Sequence, residues 1–128
     1  MAYEDREVKI KVGDNEYELL LTTKATREIS KRYGGLEKLG DKLTQSKTFE
    51  DSIGEIVWLL ALLINQPILV YNLKNKGNEK PLVTEDEIEL LTTPSDLSDY
   101  KEAITEALYR GTKRNIESES DPKNAVGE

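Results

Sequence analysis

Apolar and polar positions alternate near the start of the chain. Val8, Ile10 and Val12 are separated by Lys9 and Lys11, and Tyr17, Leu19 and Leu21 recur at every second position on the return. Period two is the signature of a strand with one buried face. Gly13, Asp14 and Asn15 between the two runs are turn formers, so the segment predicts a β-hairpin. A lone hairpin is marginal in water, so its apolar face needs a cover.

The period then changes to that of a helix. "TTKATREISKRYGG" opens with threonine caps and closes on Gly34-Gly35, a C-terminal signal. Ile29, Tyr33, Leu36, Leu39 and Leu43 recur at spacings of four, three, three and four. The two glycines predict a bend that divides this stripe between two helices. A third helix is expected from Phe49 to Asn65, with Thr48 as N-cap and Asp51 at the capping-box distance. Its second half, "IVWLLALLI" at 56–64, is apolar all round and must be covered on every side. A bilayer span needs about 20 apolar residues. Asn65, Gln66 and Pro67 close the run well short of that. The segment is expected to be a core helix, with Trp58, Leu59, Leu62 and Leu63 packed on Ile10, Leu19, Leu21 and the last helix. An apolar face shared with another chain is the alternative.

"PILVYN" after Pro67 is compatible with a strand or with a continuing helix, and periodicity does not choose between them. "NLKNKGNEKP" reads as a polar loop. Thr84 and Glu87 form a capping box for a short helix. Thr93-Pro94 opens the final helix, where proline suits the first turn. Leu97, Tyr100, Ile104, Ala107 and Leu108 share one of its faces. The fold class expected is α+β, a hairpin packed on four to five helices. One domain spans residues 1–116, and a disordered acidic tail spans 117–128.

Composition narrows function mainly by exclusion. The chain has 128 residues, 34% charged, with a net charge of −7. That balance repels nucleic-acid phosphates. Cysteine and histidine are absent, which removes thiolate and imidazole metal sites and the commonest general base. No phosphate-binding loop follows Gly34-Gly35, and "GDNEYE" lacks calcium-loop spacing. Glu50/Asp51 and Asp86/Glu87 are acidic pairs in first helical turns, where a carboxylate is stabilised by the helix dipole, so capping accounts for them. Arg110, Lys113 and Arg114 end the last helix, where cations are favoured; a phosphate-binding role for them is the weaker alternative. No cofactor, metal or catalytic residue is expected, and the protein is not expected to be an enzyme. "MAYEDREVK" lacks the basic and apolar regions of a secretory signal.

Three stretches, "LTTKATREISKRYGGLEKLGDKL", "IVWLLALLINQ" and "ALYRGTKRNIESE", stand in an order and at a spacing that resembles the tail assembly chaperones of long-tailed bacteriophages and prophages of Gram-positive hosts. The similarity runs from Val8 to Asn124 and is one of overall pattern, so it carries no site residue with it. The resemblance implies a chaperone that binds the long helical tape measure protein in the host cytoplasm. The family is absent from the mature virion. The tail tube protein is the second partner implied; nucleic acid and membrane are not. A small structural tail or head-completion protein retained in the virion is the alternative. Tyr100, Ile104, Leu108 and Tyr109 are the expected partner-binding residues, as apolar surface on the last helix, and weak self-association at high concentration is expected. In many such phages the family also makes a longer product by a programmed frameshift. Lys123-Asn124 permits the slippery heptamer A AAA AAC inside the expected tail, as does Lys74-Asn75 elsewhere.

Overall fold

The computed structural model describes residues 7–44 and 49–120, with side chains for 7–42 and 52–112. Two strands, β1 (Val8–Val12) and β2 (Asn15–Leu19), precede α1 (Thr23–Tyr33), α2 (Leu36–Thr44), α3 (Phe49–Lys74), α4 (Glu85–Leu91) and α5 (Pro94–Ser120). The α+β class expected from the patterning is the one found.

The hairpin closes on the two residues Gly13 and Asp14, and its ladder pairs Val8 with Leu19 and Ile10 with Tyr17. Val8, Ile10, Val12, Tyr17 and Leu19 therefore share the face that turns to the core. Leu21, expected as the last strand position, lies just past β2 and is buried all the same. β1 lies on α5. Tyr100 donates its hydroxyl hydrogen to the Lys11 carbonyl, and Arg110 donates from Nη1 to the Glu7 carbonyl at 2.7 Å. These two bonds occupy two outward carbonyls along the β1 edge, at Glu7 and Lys11; an open edge would invite pairing with another strand.

Local chemistry sets the helix ends as expected. The Thr22 hydroxyl accepts from the Ala25 N–H at 3.0 Å, and α1 stops at Gly34, whose φ of 92° suits a residue without Cβ. Thr84 and Glu87 exchange the reciprocal bonds of a capping box at 3.1 and 2.8 Å. Pro94 occupies the first turn of α5, behind a Thr93 N–H bonded to Asp96 at 2.8 Å. The cap expected at Thr48 falls outside the described residues.

The third helix departs from expectation. It does not stop at Asn65 but runs through Pro67 to Lys74. A proline in a helix has no N–H for the carbonyl four residues back, which here is Leu63. That carbonyl is not left idle: the N–H of Leu20, just beyond β2, donates to it at 3.2 Å. The hairpin thus fills the vacancy that the proline creates. Extension also changes the length criterion, because Ser52–Lys74 is a 23-residue helix apolar enough to cross a bilayer by length and composition. Its packing is that of a core helix. Leu59, Leu60 and Leu63 are wholly buried, in one cluster with Leu19, Ile88 and Ile104 from β2, α4 and α5. Trp58 and Leu62, expected to be central with Leu59 and Leu63, are half-buried at the margin. α5 continues to Ser120, past the boundary expected at residue 116.

Candidate interaction groove

Two asparagines on one side of α3 hold the chain that follows it. Asn65 donates from Nδ2 to the Val83 carbonyl at 2.9 Å and accepts the Val83 N–H at 2.8 Å. Asn72 makes the same pair of bonds with Lys80, at 3.0 and 2.8 Å. A side-chain amide carries the donor and acceptor of a peptide group, so each asparagine acts as a stand-in for a strand residue. The spacing of seven residues is two helical turns and aligns both amides on one face. Lys80–Val83 is thereby laid along α3 as a strap.

Between this strap and the hairpin lies a groove of about 680 Å³. Its floor is Ile64, Pro67, Ile68 and Tyr71 of α3. One wall carries Glu7, Lys9, Glu16, Tyr17 and Glu18; the other carries Lys80, Pro81, Leu82, Val83 and Glu87. Burial decreases along the floor, from the wholly buried Ile64 to the half-buried Pro67, Ile68 and Tyr71. The Lys80 ammonium sits 4.3 Å from the Tyr71 ring centroid, a cation–π contact that fixes the strap's near end. Among the described residues, no group of three or more acidic side chains is placed to hold a metal ion. The arrangement offers shape, apolar surface and carboxylates, which is the equipment of a binding surface.

Compared with protein-family models, with curated proteins and with solved structures, the chain matches none.

The partner-binding residues expected on α5 are distributed differently. Tyr100 and Ile104 are 7% and 0% exposed, so they belong to the core and present nothing to a partner in this conformation. The expectation that they are partly exposed is corrected; the face shared with Leu97 and Ala107 is the one α5 buries. Burial raises the pKa of the Tyr100 hydroxyl, and the carboxylates of Asp96 and Asp99 push it the same way. Leu108 and Tyr109 do reach surface. They line a smaller hollow of about 350 Å³ between α2 and α5, with Leu36 and Lys101. Arg110 is occupied by Glu106, at 2.7 Å, and by the Glu7 carbonyl. The side chains of Lys113 and Arg114, and both Lys123 and Asn124, lie outside the described residues.

A second polar cluster, at the start of α3, is structural. Tyr33 donates its hydroxyl hydrogen to Glu55, and the Arg32 guanidinium lies 4.4 Å from the Trp58 ring centroid and 3.6 Å from Glu55. Burial, reinforced by the bond to Glu55, pushes the Tyr33 hydroxyl up to about 12. These contacts fasten the end of α1 to α3.

The groove was not legible as a site. Ile64 of its floor falls in the expected core helix, Pro67, Ile68 and Tyr71 in the segment that periodicity leaves open between strand and helix, and Lys80 and Pro81 of its strap in the expected polar loop. The available signal was the pair Asn65 and Asn72, seven apart on either side of an apolar stripe.

Proposed function

We propose that this protein is a tail assembly chaperone of a long-tailed phage or prophage. It binds the tape measure protein in the host cytoplasm and keeps it soluble until the tail tube polymerises around it. The reading rests on the resemblance of the three stretches quoted above. The observation that supports it structurally is the open groove on α3, a half-buried apolar strip between walls that carry four carboxylates and two ammonium groups. A long helical client exposes apolar stripes that aggregate when uncovered. A small domain with a net charge of −7 lends each stripe a cover and turns charge outward.

The test is co-expression with the long coiled-coil-like reading frame of the same gene cluster. The expected result is that the long protein is soluble only with this chain and co-purifies with it, while purified particles lack this chain. Stoichiometric recovery from particles by mass spectrometry would instead favour a structural tail or head-completion protein.

A further inference from the structure

We infer that the groove seats one amphipathic helix of a partner chain, apolar on its inner face and bearing lysine or arginine along its flank. The inference rests on the proposed function only for the identity of that partner; the chemistry of the seat comes from the groove itself.

The floor residues Ile64, Pro67, Ile68 and Tyr71 stand at i, i+3, i+4 and i+7 of α3. That spacing makes a single helical ridge. In the first half of α3 the apolar rows are covered by β2, α4 and α5, and Leu59, Leu60 and Leu63 are wholly buried. Past Gln66 the ridge continues, and Pro67, Ile68 and Tyr71 are only half-buried. A ridge of this kind is completed by a facing helix that lays its own side chains into the groove.

Charge determines which helix. The charged side chains around the floor are the carboxylates of Glu7, Glu16, Glu18 and Glu87 and the ammonium groups of Lys9 and Lys80. Lys80 is already committed to the Tyr71 ring. Glu16 and Glu18 face Lys11 and Lys9 across the ladder, yet neither forms an ion pair among the described residues. They alternate on one strand, so their side chains leave the same face about 7 Å apart, the outer face opposite Tyr17 and Leu19, and stand at the rim of the groove. Cations at i and i+4 of a helix are separated by about 6 Å along its axis, and so match both carboxylates at once. The chain's net charge of −7 adds attraction at longer range. The hollow between α2 and α5 shows no such bias, since Glu37 and Lys101 balance there.

The probes are a designed leucine–lysine helix, its leucine–glutamate counterpart, and overlapping peptides of the tape measure protein. Calorimetry measures affinity, and amide chemical-shift changes locate binding. The leucine–lysine helix is expected to bind and to move Tyr17, Ile68, Tyr71 and Leu82, whereas the leucine–glutamate helix is not. The double variant Glu16→Gln, Glu18→Gln removes both charges without setting like charges opposite Lys11 and Lys9, and is expected to keep the native melting temperature while losing about tenfold in affinity, which is 1.4 kcal/mol. Full affinity in that variant, or shifts centred on the hollow between α2 and α5, overturns the inference. Tape measure peptides that bind the double variant undiminished keep the chaperone reading and remove the groove. A designed helix bound in the groove, with no tape measure peptide bound anywhere, keeps the groove and removes the chaperone reading.

Discussion

Asn65 and Asn72 offer a controlled comparison, because they make the same two bonds at different depths. Replacing either with alanine removes a donor and an acceptor from the backbone of the strap. At Asn65 the stranded groups belong to Val83, which is 9% exposed. At Asn72 they belong to Lys80, which is exposed. A hydrogen bond contributes about 0.5–1.5 kcal/mol net, and a buried group left without a partner costs about 1–3 kcal/mol. The Lys80 groups rehydrate, so Asn72→Ala is expected to lose under about 1 kcal/mol. The Val83 groups do not, and Asn65→Ala is expected to lose about 2–4 kcal/mol. Both substitutions gain the same helix propensity, about 0.7 kcal/mol or less, which cancels in the difference. Asn65→Asp keeps the acceptor for the Val83 N–H but sets a carboxylate against the Val83 carbonyl, and is expected to fall below Asn65→Ala above neutral pH. Urea unfolding followed by Trp58 fluorescence and far-ultraviolet circular dichroism measures all three. Equal losses at the two asparagines, or a neutral Asn65→Ala, would refute the claim that the strap is held by its buried amide pair.

Three further expectations follow from packing and ionisation. Leu63 is wholly buried, so Leu63→Ala is expected to cost about 2–5 kcal/mol, with a smaller loss for the half-buried Leu62; equal losses in denaturant unfolding would contradict the burial. Gly111→Ala would set a Cβ 2.9 Å from the Cβ of Leu21. Alanine gains about 1 kcal/mol in helix propensity, but overpacking costs about 1–3 kcal/mol, and the Leu21 Cβ has no rotamer to escape into. A modest net loss of stability is expected, and a raised melting temperature would show that the chain after β2 shifts freely. Tyr33 has its hydroxyl raised to about 12 in the fold against about 10 when unfolded. Its neutral form is the one the fold favours, so its contribution is complete below pH 10 and is lost as pH rises toward 12. Melting temperatures between those values are expected to fall less steeply in Tyr33→Phe than in the native chain, and parallel curves would dismiss the coupling.

What the residue order disclosed was whatever neighbouring residues decide. The hairpin, the stop at Gly34 and the capping box at Thr84 are bargains struck within a few positions, and each is present. The end of α3 was not legible because Pro67 leaves the Leu63 carbonyl without its helical donor, and the donor that replaces it, Leu20, lies far back in the chain. Asn65 and Asn72 look like loop formers for the same reason: their partners, Val83 and Lys80, come after the turn they secure. The face of α5 was identified correctly, but its use was not. Tyr100 and Ile104 share a row with Leu97 and Ala107, and that row is buried because β1 and α3 both lie against α5. Periodicity marks an apolar face without saying whether the same chain covers it.

The bond from Leu20 to the Leu63 carbonyl gives one amide a special place in the time domain. While the hairpin is detached, the Leu63 carbonyl in the middle of α3 has water as its partner, and the bond from Leu20 forms only when the hairpin docks. A half-folded chain with a finished helix and a free hairpin therefore lacks about 0.5–1.5 kcal/mol net. That loss disfavours the intermediate in which the helix forms alone, and it ties a local element to a distant one. In hydrogen–deuterium exchange, the Leu20 N–H should open only with the whole hairpin and at the rate of the slowest amides in α3, although it lies outside any regular strand.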